Sequence, residues 1–271
     1  MFQALKLKGH AGDRAFRAAT VSALALLVLF FITIVASMLT YTHWSTFISA
    51  LFSAEILFAI RLSIITASVA TIIAVLIAVP AAYAISQYDF PGKSLVDSLL
   101  DLPIVISPIA LGAALLVFFN TPVGAWIDDN VLKFTFTVVG IVLAQITVIS
   151  ALAIRLLKST FDGIDPRYEQ VGRTLGCSKP EAFLKVTLPL ARNGVIAAGI
   201  LTWARAVGEF GATITLVGAT AMKTETLPIA IFLSLASADV EKAIAVVFIL
   251  VIIAVAALFT IRKLTGRKYR L

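Results

Sequence analysis

The chain has 271 residues, of which 60% are hydrophobic and only 14% charged, against about 25% charged in an average soluble domain, so it is read as an integral membrane protein. Twenty-two basic against 15 acidic residues give +7, but the placement of those charges along the chain leaves no need for a nucleic-acid partner. A single cysteine, Cys177, excludes an internal disulfide, and His10 and His43 stand far apart with no cysteine cluster to join, which argues against a metal site.

A helix crosses the hydrocarbon core with about 20 mainly apolar residues, and six stretches have that length. The first, 19–41, is uncharged. Its apolar run is longer than the roughly 7–15 residues of a signal-peptide core. Despite the basic start at Lys6, Lys8, Arg14 and Arg17, it is therefore read as a retained span after a segment at 1–18. The second runs from Leu62 to Gln87. The third, 102–119, holds Pro103 and Pro108, which lack N–H groups and crowd the preceding turn, so a kink or interruption is expected. The fourth runs from Phe134 to Ile154, and the fifth, 193–219, is apolar except for Arg205 and Glu209. The sixth, 243–261, precedes a basic tail at 263–271. Period-2 alternation is absent, so the fold class is an all-α membrane protein with six spans in one domain, 19–262, and not a β-barrel.

Basic residues gather on the cytoplasmic side of membrane proteins. With six spans, one side holds the N-terminus, the 88–101 loop, the 155–192 loop and the C-terminus, which together carry 17 Lys and Arg. The other side holds only Lys133, Lys223 and Lys242, and Arg61 and Arg205 lie at or within spans. Both termini and the 155–192 loop are accordingly expected in the cytoplasm of a multi-pass plasma-membrane protein.

Within that loop, Asp165-Pro166 has the form of a helix start. A short helix can run through Tyr168, Val171 and Leu175 until Gly176 stops it. Ser178 and Glu181 fit a capping box, and the helix they open presents Phe183 and Val186 on one face. Leu188-Pro189 is expected to end it. The segment 165–190 therefore reads as a compact helix–turn–helix pair outside the bilayer, built to meet a partner.

These residues resemble a known pattern. Gln170-Val171-Gly172, three residues, Gly176 and then Leu188-Pro189 is similar to the EAA loop of permease subunits of binding-protein-dependent ABC importers. Gln170 stands at that pattern's Glu position, with Glu169 just before it. The stretches Val79-Pro80-Ala81-Ala82-Tyr83-Ala84, Phe90-Pro91-Gly92-Lys93-Ser94-Leu95 and Leu102-Pro103 through Pro108 resemble a core helix of such permeases, the turn after it and the proline-marked helix that follows. Arg205 through Thr213, with Gly-Glu-Phe-Gly-Ala-Thr at 208–213, resembles the fifth-span signature of molybdate and sulfate permeases, closest to the molybdate branch. The resemblance covers about residues 55 to 262.

It implies the fold of a small ABC-importer permease, working as two copies of this chain with two ATPase subunits and an extracytoplasmic oxyanion-binding protein. The loop would be the coupling segment that docks on the ATPase through Glu169, Gln170, Gly176, Ser178, Glu181, Phe183, Leu184 and Pro189, with Phe183 and its neighbours as the knob. ATP and magnesium would sit on the partner subunit and no cofactor in this chain, which has no Walker loop.

Charges at membrane depth cost about 2.5–3.5 kcal/mol each on insertion scales. Arg205 and Glu209, four apart on one helix, can pair with each other, either as a self-neutralising structural pair or as part of a gate. Thr213, Thr215 and Ser107 carry hydroxyls that could line an oxyanion pathway weakly, as a conduit requires. Sulfate or thiosulfate is the alternative cargo. A stand-alone secondary transporter would need its own coupling-ion site and an inverted repeat, and the chain shows neither. An intramembrane enzyme would need a nucleophile–base or metal constellation, which is also missing.

Overall fold

The structure is a computed structural model that describes residues 2–40 and 44–265. His43 and residues 266–271 of the basic tail lie outside the described residues. In chain order the helices are α1 (Phe2–Thr40), α2 (Trp44–Leu51), α3 (Ala54–Gln87), α4 (Lys93–Val105), α5 (Pro108–Phe119), α6 (Pro122–Asn130) and α7 (Val138–Asp162). There follow α8 (Arg167–Thr174), α9 (Lys179–Ala182), a π-turn (Phe183–Thr187), α10 (Leu188–Val207), α11 (Gly211–Val217), α12 (Leu227–Ala236) and α13 (Val240–Thr265).

Five of these helical stretches are long and apolar enough to cross a membrane, and α4 with α5 make a sixth if the bent pair is one span. The apolar part of α1, Gly12–Met38, buries nothing against the rest of the described chain. The long α3 begins where the Ser53 hydroxyl accepts the Ile56 N–H. It buries Ala59, Ala67, Ala70, Ala74, Ala78 and Ala82, and a stripe of small residues at helical spacing lets a neighbouring backbone come close. That neighbour is α7, which answers with Ala144, Ala151 and Ala153 and forms the centre of the bundle with α3 and α10. At the end of the bundle where α3 and α7 finish, Ala82, Ile85, Leu157, Phe161 and Ala191 make one apolar cluster. Toward the opposite end, Leu62, Phe119, Ile141, Ala144, Ala212 and Leu216 make another.

Several expectations are corrected. The second helix starts eight residues before Leu62, because Ser53 supplies a cap there. The fourth starts at Val138 rather than Phe134, since Phe136 takes φ +57 and the Thr137 hydroxyl caps Gly140. It also runs on past Ile154 to Asp162. The apolar stretch 102–119 is two helices bent by 109°. Pro108, with the Ser107 cap, makes the break, whereas Pro103 is carried inside α4. The stretch 193–219 is not one span either, for α10 ends at Val207 and α11 begins at Gly211.

Pro189 does not end its helix. A proline in an α-helix lacks the N–H and its ring crowds the carbonyl four residues back. Here the π-turn loosens the spacing just before it, with the Leu188 N–H reaching the Phe183 carbonyl five residues back. Pro189 then follows directly, inside a helical stretch that continues unbroken from Lys179 to Val207.

Candidate functional site

Both broken spans break at one place. In a continuous helix the Ala212 N–H would bond to the Gly208 carbonyl. Instead Glu209 Oε1 accepts it at 3.0 Å, which substitutes a side chain for the backbone and opens the gap at 208–210. Glu209 Oε2 lies 2.6 Å from Arg205 Nη1. The carboxylate is only 1% exposed, so this cation and the N–H are what make its burial tolerable. On the other helix, Ser107 Oγ accepts the Ala110 N–H at 3.3 Å, and Pro108 has no N–H to place.

The two half-helices α5 and α11 then cross at glycines. A Cβ on Gly112 would meet the Ala212 carbonyl oxygen at 2.6 Å, the Ala212 Cα at 2.7 Å and the Thr215 Cβ at 2.9 Å. A Cβ on Gly211 would meet the Ile109 nitrogen at 2.9 Å and the Pro108 Cβ at 3.0 Å. Of the five residues singled out for the pathway, Thr215 lies at the crossing against Gly112, Ser107 adjoins it through Pro108, and Glu209 reaches it through the Ala212 N–H with Arg205 on its other oxygen. The five are unequally buried, however. Ser107 is exposed and Arg205 and Thr215 half-buried, while Glu209 and Thr213 are buried within the chain. Thr215 donates to the Gly211 carbonyl at 2.8 Å, and the buried Thr213 hydroxyl has no hydrogen-bond partner.

The loop expected to meet a partner is the second part of the site. Asp165 Oδ1 accepts the Arg167 N–H at 2.9 Å and starts α8; Gly176, at φ +95, ends it, a conformation that favours glycine. Glu181 reaches back to the Ser178 N–H at 2.9 Å and accepts its hydroxyl at 2.8 Å. Two faces of α8 result. Tyr168, Val171 and Leu175 are exposed, Leu175 by 80%. Glu169 and Gly172 turn inward, where a Cβ on Gly172 would lie 3.2 Å from Val186 Cγ2.

Phe183, expected as the knob, also turns inward: its ring packs against Tyr83 with centroids 4.6 Å apart and against Phe161 at 6.2 Å. Its neighbour Leu184 is exposed, as are Gln170 and Pro189. A cavity of about 500 Å³ opens beside α8, lined by Tyr83, Ser86, Asp162, Glu169, Gln170 and Arg173 among others.

Sequence reasoning missed several residues that fasten these parts. Arg155 of α7 makes ion pairs with Asp97, at 2.9 Å, and with Asp101, and holds α4, which buries none of its residues. Two acids four apart just before a proline-marked break were the available signal. Gln145 donates to the Ala206 carbonyl at 3.0 Å and ties α7 to the end of α10. Tyr83 and Thr187 both donate to Glu169. Among the described residues no three His, Cys, Asp or Glu gather as a metal site.

The family model for the inner membrane component of binding-protein-dependent transport systems matches residues 74–268. A probable molybdenum ABC transporter permease protein of Haloferax volcanii is 38% identical over 202 residues, covering 74% of this chain and 73% of that protein. The sulfate transport system permease protein CysT of Escherichia coli is 29% identical over 231 residues, covering 84% of this chain and 83% of that protein. In fold, the chain is similar to one in the crystal structure of a bacterial alginate ABC transporter in complex with an alginate pentasaccharide-bound periplasmic protein. The TM-score is 0.74 at 14% identity, with 93% of this chain and 96% of that one covered.

Proposed function

This chain belongs to the family of inner membrane components of binding-protein-dependent transport systems, and from that membership we propose that it forms the oxyanion pathway of an ABC importer for molybdate or tungstate. The observation that carries the mechanism is the two-faced α8: an exposed apolar surface on a short helix whose other face is fixed to the spans. Such a surface, Tyr168, Val171 and Leu175 with Leu184 nearby, suits a groove on an ATPase subunit. ATP and magnesium belong to that subunit. Two copies of the chain enclose the pathway, and the α8 end faces the cytoplasm together with both termini.

In this reading the crossing of α5 and α11 is the moving joint. The half-helices pivot about a backbone contact at Gly112 and Gly211, and Arg205 with Glu209 keeps the break between α10 and α11 defined while they do. The loops on the side opposite α8 carry Asp128, Asp129, Glu225, Asp239 and Glu241 against Lys133, Lys223 and Lys242. That balance does not concentrate a dianion, so the cargo comes from a separate binding protein on the far side. Molybdate is favoured over sulfate by the higher identity to the molybdenum relative, 38% against 29%, and by Gly-Glu-Phe-Gly-Ala-Thr at 208–213. Tungstate is a tetrahedral dianion of nearly the same size, and a weakly lined conduit passes both.

The test is uptake of labelled molybdate, tungstate and sulfate into proteoliposomes holding the permease, its ATPase and its binding protein. ATP-dependent uptake of the first two is expected. Uptake without the ATPase, or a preference for sulfate, would overturn the proposal.

A further inference from the structure

An isolated helix of eight residues does not hold itself together in water, so what fixes α8 decides whether it can transmit anything. The inward face supplies one charged group, Glu169, and the structure gives both of its oxygens to this chain's own side chains. Oε1 accepts the Tyr83 hydroxyl at 2.8 Å, and Oε2 lies 2.9 Å from the same hydroxyl. Oε2 also accepts the Thr187 hydroxyl at 2.9 Å. Tyr83 belongs to the last turns of α3, and Thr187, 4% exposed, is the final residue of the π-turn that leads into α10. A single carboxylate thus hydrogen-bonds across three elements, α8, α3 and the turn that leads into α10.

The surroundings keep it there. The Tyr83 ring is held edge-on by Tyr88 at 5.7 Å and Phe161 at 5.8 Å and lies against Phe183 at 4.6 Å. Gly172 brings the next turn of α8 into close approach with Val186. A π-turn is rare and concentrates at functional positions; this one sets Thr187 facing Glu169.

We propose that Glu169 is a positioning residue for transport: its hydrogen bonds to Tyr83 and Thr187 clamp α8 to α3 and to the root of α10, so that a push on α8 becomes a movement of both spans. The inference rests on the permease reading above, and it differs from that reading's expectation that Glu169 itself meets the ATPase. Displacement entering α10 at Thr187 leaves it at the 208–210 break, where α11 crosses α5. The ATPase touches the outer face of α8, and Glu169 carries the load on the inner one.

The experiment uses the whole complex in proteoliposomes with Tyr83→Phe, Thr187→Val and Glu169→Gln, reading molybdate imported per ATP hydrolysed. Tyr83→Phe keeps the ring and removes one charge-assisted hydrogen bond. Import per ATP is expected to fall about tenfold, while ATPase co-purification and the melting temperature of the permease stay as in the wild type. Adding Tyr83→Phe to Glu169→Gln is expected to cost little more, because both cut one link. Spin labels on α8 and α3 of the purified permease alone are expected to report a broadened distance in Tyr83→Phe.

Unchanged import per ATP and unchanged label distances in Tyr83→Phe and Thr187→Val would overturn the clamp. So would loss of ATPase binding in Glu169→Gln alone, which would place Glu169 on the outer interface. If the wild-type complex shows no ATP-driven import while the label distances still respond to Tyr83→Phe, the failure lies in the permease reading, and the transport role falls with it.

Discussion

Replacing Gly112 by alanine tests the crossing of α5 and α11 most directly. The added methyl would lie 2.6 Å from the Ala212 carbonyl oxygen, and ordinary contact begins at 3.4 Å, so α11 must retreat by about 0.8 Å. The two nearest opposing atoms are backbone and the third is the Thr215 Cβ, so no side-chain rotation relieves them. Overpacking of this kind costs about 1–3 kcal/mol, and alanine returns about 1 kcal/mol through its higher helix propensity, which leaves a net loss of up to about 2 kcal/mol. Gly199→Ala is the control: it is also helical, but its new methyl meets nothing within 4 Å, so the propensity gain stands alone. Thermal unfolding in detergent and ATP-driven molybdate uptake are measured on both. Gly112→Ala is expected to melt lower than Gly199→Ala and to transport several-fold more slowly, because the joint is wedged open. Equal melting and equal transport in the two variants would refute the claim that the half-helices meet backbone to backbone.

Other expectations concern the fastenings. Leu175→Asp is expected to leave the melting temperature of the permease unchanged, since that side chain is 80% exposed, and to weaken ATPase docking by tenfold or more, the value of burying about one leucine; binding measured in detergent decides it. Phe183→Ala is expected to do the reverse, destabilising the permease by roughly 2 kcal/mol as a half-buried aromatic while docking persists. Arg155→Ala removes the ion pairs to Asp97 and Asp101 that hold α4, so hydrogen exchange in α4 should rise with little change in α7.

Asp128 gives a pH dependence. Burial pushes its carboxyl up, but Lys133, the Thr135 hydroxyl and the Thr135 and Phe134 N–H groups outweigh that and hold it well below the ordinary value of 3.8. A lowered folded-state value means its stabilisation is complete above pH 3.8 and is lost as pH falls from there toward the folded value. Melting temperature is expected to be insensitive to this group between pH 7 and 5 and to fall in stronger acid, less steeply in Asp128→Asn.

How much of this was legible depended on the range of each interaction. Local signals worked: Gly176 at φ +95, the Ser178–Glu181 contact and the break at Ser107-Pro108 are all decided within a few residues. The break at 208–210 was hidden because a span tolerates glycine, and no proline marks it. Its cause is a carboxylate that takes an N–H three residues on, which reads in sequence as only another charge in a helix. The partners of Glu169 lie 86 and 18 residues away, so no spacing could have found them, and Phe183 turns inward onto Tyr83 and Phe161, which are also remote in sequence. The short helices α2, α6 and α12 were missed because eight to ten residues fall below the length at which apolar periodicity separates a helix from a loop.

The π-turn has a consequence for rotation. An α-helix advances about 100° per residue, so one residue of slack at Phe183–Thr187 sets the angular phase of everything from Leu188 to Val207 relative to α8. Arg205 points where it does because of a choice made some twenty residues earlier. Deleting Leu184 would restore plain α-geometry and shorten the Lys179–Val207 stretch by a single residue. It would turn the 208–210 break about a quarter of a circle away from α5, so that the loop at 165–190 would lead into a break that faces the wrong way.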